Sequence, residues 1–549
     1  MYSLAWALLV ASFVRAKHST LEDNLPFPSR TLEWGDVNFI HTTDIHEHMR
    51  AKADAQGVDL LLVDSGDHHD GGGLVSISPE SADTSDYYIS TLGYDALAIG
   101  NHELYKAIDG EFVHKSVKHG RWKGRYLTSN VNITQADGMS VPLGTRIAKF
   151  KTKHPSKCQS PLEMIKEQWF LEAIEERPDF FLIPGHMSVR DISSDWEEVI
   201  HVIRLRHPHT PVFVFGGHNH IRDCKKPDAH SIIMASGRYM ETVGWVSANL
   251  TKSGKMESSR RYLDSNRRTF KYHTGTLKGK SFDTDMGLAL SNELHEAHRN
   301  LNLSVVLGHS PKNYFLSRYP ATSDHSVLKK LMDDVLPATV YNSKAEVEHF
   351  RLFVANSGSQ RFDVFKGPFT VDDQFITSPF VSRFVHFNVT AKVGRKLVWK
   401  MNDEGATQLL PSDDSQRSYL SWVEDQSLRH QHASEGAAQA AFNSKKGIEK
   451  SEYGYVTVDS CGDRGDDIDH VPFPSRGQIP DYVGSTFPLD KPDDETVTVV
   501  VMDFFLNDVV NAVNKLDPSV ELDYSSFKPY GNPKVQITDV WGIYAKEFW

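Results

Sequence analysis

Five stretches of this sequence end an apolar run in side chains that can hold a metal ion. "DVNFIHTTDIHEH" carries Val37 to Ile40 into Asp44, His46 and His48, and "VDLLLVDSGDHHDG" carries Leu60 to Val63 into Asp67. "YDALAIGNHELY" ends in Gly100, Asn101 and His102, "PDFFLIPGHM" delivers His186, and "PVFVFGGHNH" delivers His218 and His220. Carboxylate oxygen, imidazole nitrogen and amide carbonyl form a borderline-hard donor set without thiolate, suited to Zn2+, Mn2+ or Fe. Two such ions about 3.5 to 4 Å apart need a carboxylate between them, and Asp67 is the natural bridge. Asn101 is neutral and leaves the pair enough positive charge to attract a phosphate, while His102 beside it would face the substrate. One strand followed by glycine and a polar residue means little, but the order D-x-H, GD, GNHE, GH and GHxH is specific. His48, His68 and His69 match no ligand position and are read as ordinary polar residues.

Residues this far apart converge only if strands lie side by side with their carboxyl ends on one edge, where open α/β sheets build their sites. Continuous apolar runs such as these are typical of parallel strands buried on both faces. A chain of 549 residues is too long for one core, so two or more domains are expected. The segment 281–303, "SFDTDMGLALSNELHEAHRNLNL", has Leu288, Leu290 and Leu294 at helical spacing and reads as a linker helix. The Lys-, Arg- and Ser-rich run 252–280 before it reads as an exposed excursion. Beyond residue 301, mixed helical and β-rich segments such as "FVSRFVHFNV" and "ETVTVVVMDFFL" make a second α/β domain, interrupted at about 403–450 by a polar Ala, Ser and Gln-rich insertion.

Composition limits the partners. A net charge of −12 with histidine neutral leaves no basic footprint for nucleic acid, so an anionic substrate must be held by local positive charge such as metal ions. A hydrophobic fraction of 39% with 10 Trp is that of a folded chain, and no run is long enough to span a membrane. Residues 1–16, "MYSLAWALLVASFVRA", have the apolar core and small residues of a secretory signal peptide. Sequons at Asn132, Asn249, Asn302 and Asn388 suggest the same glycosylated route. Cys158, Cys224 and Cys461 allow at most one disulfide.

Taken as a set, these motifs resemble the calcineurin-like metallophosphoesterases, and the long second domain makes the chain similar to their 5'-nucleotidase branch. The resemblance implies a four-layer α/β/β/α metallophosphoesterase domain over 31–275. It implies a linker helix over 276–303 and an α/β nucleotidase-type substrate domain over 304–549. It also implies two divalent ions, Zn2+ first and Mn2+ or Fe as alternatives. Carried over by motif, one site is Asp44, His46, Asp67 and His220 and the other Asp67, Asn101, His186 and His218. His102 matches the family's charge-stabilising histidine, which relatives pair with an acid three positions on, where this chain has Tyr105. The chain also differs in having short segments after His48 and after His154. "ANSGSQRFDVFKGPFTVDDQFITSPF" resembles the segment in which Asn356 and Arg361 would approach the ligand and Phe380 stack on a base, with Phe504 the second stacking ring.

The expected function is therefore a secreted or vacuolar dinuclear phosphomonoesterase acting on a small nucleoside 5'-monophosphate, AMP first, with His102 stabilising charge on the phosphoryl oxygens. Alternatives are another phosphoester hydrolase, for UDP-sugars or cyclic nucleotides, and a non-catalytic binding protein on the same fold.

Overall fold

The structure, a computed structural model, describes residues 26–549 except 42–51, 54, 69–70, 78–80, 105–116, 118–121, 123, 135–139, 144–160, 190–194, 251–255, 278–281, 409–452, 463, 473–478 and 489. The leader, residues 409–450 of the insertion, the short segment after His154, Tyr105 and half of the segment 49–56 after His48 thus lie outside the described residues, while 403–408 continue the helix Ala391–Gln408. The chain divides into two compact units: 1–70, 78–297 and 435–472 form the first, and 71–77, 298–434 and 473–549 the second. The described residues within 453–472, part of the segment assigned by sequence to the substrate domain, group with the first unit.

Two large sheets form the centre of the first unit among the described residues. In one, Val37–His41, Asp59–Asp64 and Ala96–Ala98 run parallel with Val37 opposite Asp59 and Val63 opposite Ala96, and Thr242–Leu250 and Met256–Asp264 extend it antiparallel. In the other, Phe181–Pro184, Val212–Phe215 and Ser231–Ser236 are parallel, with Phe181 opposite Val212 and Val212 opposite Ser231. Side chains alternate across a strand. Val37, Phe39, Val63, Phe213, Phe215, Met234 and Val246 therefore meet in a core between the sheets. Ile40, Leu62, Leu97 and Trp245 face Ile89 of the helix Ser81–Thr91, and Leu92 just after it, on one outer side. Val212, Val214 and Ile233 face Trp196, Ile200 and Ile203 of the helix Trp196–Arg206 on the other. Helix, sheet, sheet and helix give the four layers.

The described part of the run, 256–277, is not an exposed excursion. Met256–Asp264 is a sheet strand with Arg260, Arg261, Tyr262 and Leu263 buried, and Arg267–Thr274 is a helix capped by the Asn266 side chain. Arg260 and His273 are buried because partners reach them from far along the chain: Arg260 pairs with Asp459 at 2.5 Å, and His273 with Asp467 at 2.9 Å. A disulfide between Cys224 and Cys461 holds the stretch that carries Asp459 and Asp467.

The helix Asp285–Asn300 leads toward the second unit. There Leu352–Asn356 and Thr496–Met502 run parallel, with Val354 opposite Val501, and Phe384–Thr390 runs antiparallel with Phe384 opposite Met502. Helices Val540–Phe548 and Leu506–Leu516 supply Trp541, Val509 and Val513 to a core that includes Val499 and Phe353. Among the described residues no helix is long and apolar enough to cross a membrane.

Candidate functional site

Parallel register brings the expected residues of the first unit to a common edge. Asp67 follows the strand Asp59–Asp64, and Asn101 and His102 follow Ala96–Ala98 next to it. His186 and His218 follow the neighbouring strands of the second sheet. Asp44 and His46 lie outside the described residues.

The glycines of these motifs are steric requirements. A Cβ on Gly100 would sit 2.0 Å from Asp67 Oδ1, and one on Gly66 would sit 2.5 Å from the Gly100 nitrogen, so the GD and GNHE loops touch backbone to backbone. Glu103, fully buried, holds them together. Its carboxylate accepts the N–H of Gly100 at 2.7 Å, of Asp67 at 3.0 Å, and of His68. Sequence reasoning quoted Glu103 within its motif and gave it no role; an acid directly after His102 was the only available signal.

The side chains then converge. Asp67 Oδ1 accepts the His102 N–H at 3.0 Å, and the His102 imidazole Nε2 is 3.7 Å from Asp67 Oδ2. His186 Nε2 is 2.9 Å from Asp67 Oδ2, its ring 5.3 Å from that of His218, whose Nδ1 is 3.1 Å from Asn101 Oδ1. His220 packs its ring 5.5 Å from that of Tyr239. Asp67, His218 and His220 all take left-handed backbone, at φ 65°, 73° and 60°. Each such residue costs about 1–3 kcal/mol and persists only where the surroundings over-determine it, a cost typical of functional sites.

Burial raises the Asp67 carboxyl, but contacts with His186 and His102 outweigh it and hold it well below the usual range. Burial correspondingly lowers His186, yet Asp67 more than offsets this and the imidazole is raised. His41, buried behind the site, is pushed down to about 4 by burial and joins Ser236 and Ser65 as a neutral ring at 2.5 and 3.2 Å. His68 bonds Asp64 in the interior.

His186 tests whether the residues suit a metal. Its Nδ1–H donates to the Ser65 carbonyl at 3.1 Å, which turns Nε2 toward Asp67. Nε2 is buried and lacks an aligned hydrogen-bond partner although Asp67 Oδ2 is only 2.9 Å away. Metal-binding histidines are held in this way by the other ring nitrogen. Two donors each about 2.1 Å from one cation are about 3 Å apart, close to the Asp67–His186 and Asn101–His218 separations. Among the described residues no three His, Cys, Asp or Glu side chains form a complete ion-holding group by themselves. Asn101 adds an amide, and the donor types fit a divalent ion.

In the second unit, Asn356 ends one strand, Phe504 follows the parallel strand beside it, and Phe380 precedes the antiparallel Phe384–Thr390, so all three share one sheet edge. Arg361 N–H donates to Thr377 at 2.9 Å, and its guanidinium lies 4.8 Å over the Phe380 ring. Asp503 exchanges backbone and side-chain bonds with Arg383 at 3.0 and 3.1 Å, leaving Phe504 69% exposed.

Comparison with known proteins follows the same division. The calcineurin-like phosphoesterase family matches residues 37–222, and the NAD nucleotidase C-terminal domain family matches 313–510. An uncharacterised Schizosaccharomyces pombe protein is 32% identical over 89% of this chain and 86% of its own length. A secreted protein of Arthroderma benhamiae is 30% identical over 95% of this chain and 91% of its own. The crystal structure of a Candida albicans 5'-nucleotidase, 28% identical, superposes with a TM-score of 0.79 over 95% of this chain and all of that one.

Proposed function

Because this chain belongs to the calcineurin-like phosphoesterases of the 5'-nucleotidase type, metal-dependent phosphoric ester hydrolases, we propose that it releases phosphate from nucleoside 5'-monophosphates, AMP first. The observation that carries the reading is His186, with one nitrogen tied to a backbone carbonyl and the other turned onto Asp67 at 2.9 Å. Asp44, His46, Asp67 and His220 would hold one ion and Asp67, Asn101, His186 and His218 the other. When bound, two divalent ions, Zn2+ first, supply positive charge for the phosphoryl oxygens and acidify a water. The residues do the rest. Glu103 keeps the two loops in contact, and Asp67 fixes the His102 backbone so that its imidazole faces the phosphate and stabilises charge developing there. Arg361, Asn356, Phe380 and Phe504 would bind the nucleoside.

A route through the secretory pathway is proposed with this activity. Asn249, Asn302 and Asn388 are exposed, a buried disulfide suits an oxidising compartment, and one relative is described as secreted. Material made by that route is expected to start near Lys17 and to lose mass on removal of N-glycans; retained Met1 without glycan would sink this part.

The activity is tested on a panel of AMP, cyclic AMP, a UDP-sugar and a dinucleotide such as NAD. AMP is expected to give the highest kcat/KM. A dinucleotide preference would favour the second reading, a nucleotide pyrophosphatase, which the NAD nucleotidase-type match supports. Bound metal without hydrolysis of any of them, followed as loss of the substrate, would leave only a binding protein.

A further inference from the structure

The loop 237–241 follows the strand Ser231–Ser236 and holds two consecutive left-handed residues, Tyr239 at φ 50° and Met240 at φ 52°. Neither side chain is of a type that visits this region readily, so the backbone must be held from outside. The holding groups come from a segment more than two hundred residues later. The Tyr455 hydroxyl donates to the Glu241 carboxylate. Glu241 N–H closes the loop on the Arg238 carbonyl at 3.0 Å, and the Arg238 guanidinium lies 4.8 Å over the Tyr239 ring. That ring packs 5.5 Å from the His220 imidazole.

The same segment holds the other side of His220. Arg222, two residues on and buried, donates to Thr242 Oγ1 at 2.7 Å, Asp264 Oδ1 at 2.8 Å and Asp466 Oδ1 at 3.1 Å, with the Tyr455 ring 4.7 Å from its guanidinium. Gly237 N–H bonds the Ile221 carbonyl at 3.1 Å and joins the two loops directly. The disulfide Cys224–Cys461 and the buried pair Arg260–Asp459 fix the segment in place. Tyr455 thus touches both strained loops: its hydroxyl reaches the one carrying Tyr239, and its ring covers the arginine that follows His220.

We infer that Tyr455 is a positioning residue for His220, acting through Glu241 and Tyr239, so that a segment encoded in the second half of the chain completes the metal centre of the first unit. The inference rests on the reading of His220 as a metal ligand. A left-handed histidine can turn its imidazole out of the site unless its neighbours limit it, and the Tyr239 ring is one of them. Groups that orient a ligand without touching the ion change metal affinity or activity by about 10- to 100-fold when removed.

The experiment uses metal-stripped full-length protein and Mn2+ as the probe, followed by direct Mn2+ binding and by phosphate release from AMP. Tyr455→Phe keeps the ring and removes the hydroxyl; Glu241→Gln tests the same link from the other side. Each is expected to raise the Mn2+ dissociation constant about 10- to 100-fold, with turnover recovering at saturating Mn2+ and KM for AMP unchanged. In a His220→Ala background, Tyr455→Phe is expected to add nothing, since the ligand it positions is gone. Tyr455→Phe and Glu241→Gln with wild-type Mn2+ affinity would overturn the inference, even with a lowered melting temperature, as would a full Tyr455→Phe loss on top of His220→Ala. If His220→Ala itself leaves Mn2+ affinity unchanged, the metal assignment has failed and the inference with it. A clear His220→Ala loss beside a silent Tyr455→Phe overturns the inference alone.

Discussion

The strand ends of the first unit and the sheet edge of the second are built to opposite standards. Around Asp67, the backbone is strained at three candidate ligands, two glycines leave no room for a methyl group, and a buried carboxylate collects three N–H groups. Around Phe380, one arginine lies over a ring and a second ring, Phe504, is 69% exposed. Charge developing on a phosphoryl group must meet donors that are already in place, and placing them costs backbone strain and buried polar atoms. A nucleoside ring gains mainly by stacking, which needs an accessible face more than a fixed one. Mutations in the first region should therefore act on turnover, and mutations in the second on binding.

The largest break in that comparison is Asp67→Asn, which removes the charge between the two ion positions and is expected to lower kcat more than about 10^3-fold, beyond any single terminal ligand. An equal loss in His48→Ala, assayed beside it, would show that the cluster has been assigned to the wrong residues. His102→Ala comes next, with kcat lowered about 10^2- to 10^3-fold for AMP and for a small aryl phosphate alike, because the charge it faces develops at phosphorus in both. An effect on AMP alone would move His102 to the binding side.

Glu103→Ala is expected to cost about 1–3 kcal/mol in a denaturant titration, since it leaves buried N–H groups of both loops unpaired, together with a drop in kcat. A stable, fully active variant would mean that the loops hold themselves. The smallest effect belongs to the second region. Phe380→Ala should raise KM for AMP by about one to two decades, the alanine-scan scale of about 1–3 kcal/mol for base stacking, and leave aryl phosphate hydrolysis nearly untouched. Equal loss on both substrates would make Phe380 a packing residue and erase the distinction.

What could be read in the sequence was local. Apolar runs ending in Asp67, Asn101, His186 and His218 announce strand, edge and donor within a dozen residues, and the two-residue alternation in Val212–Phe215 is enough to face two layers. What could not be read depended on partners far away. Arg260 and Arg261 look like a solvated run until Asp459 is known to reach Arg260 across 199 positions. The bond between Cys224 and Cys461 spans 237 residues, and no spacing rule selects it over Cys158. Glu103 was hidden differently: the groups through which it joins the two loops are backbone N–H groups, which leave no mark in a sequence.

The central claim, that Asp67 stands between two metal ions in a phosphomonoesterase, is tested most directly by elemental analysis of the purified protein combined with phosphate release from AMP. The account predicts close to two divalent ions per chain, activity lost on chelation and restored by Zn2+ or Mn2+, and both metal content and activity reduced together in Asp67→Asn. Full AMP hydrolysis by a metal-free preparation, or undiminished metal and turnover in Asp67→Asn, would contradict it.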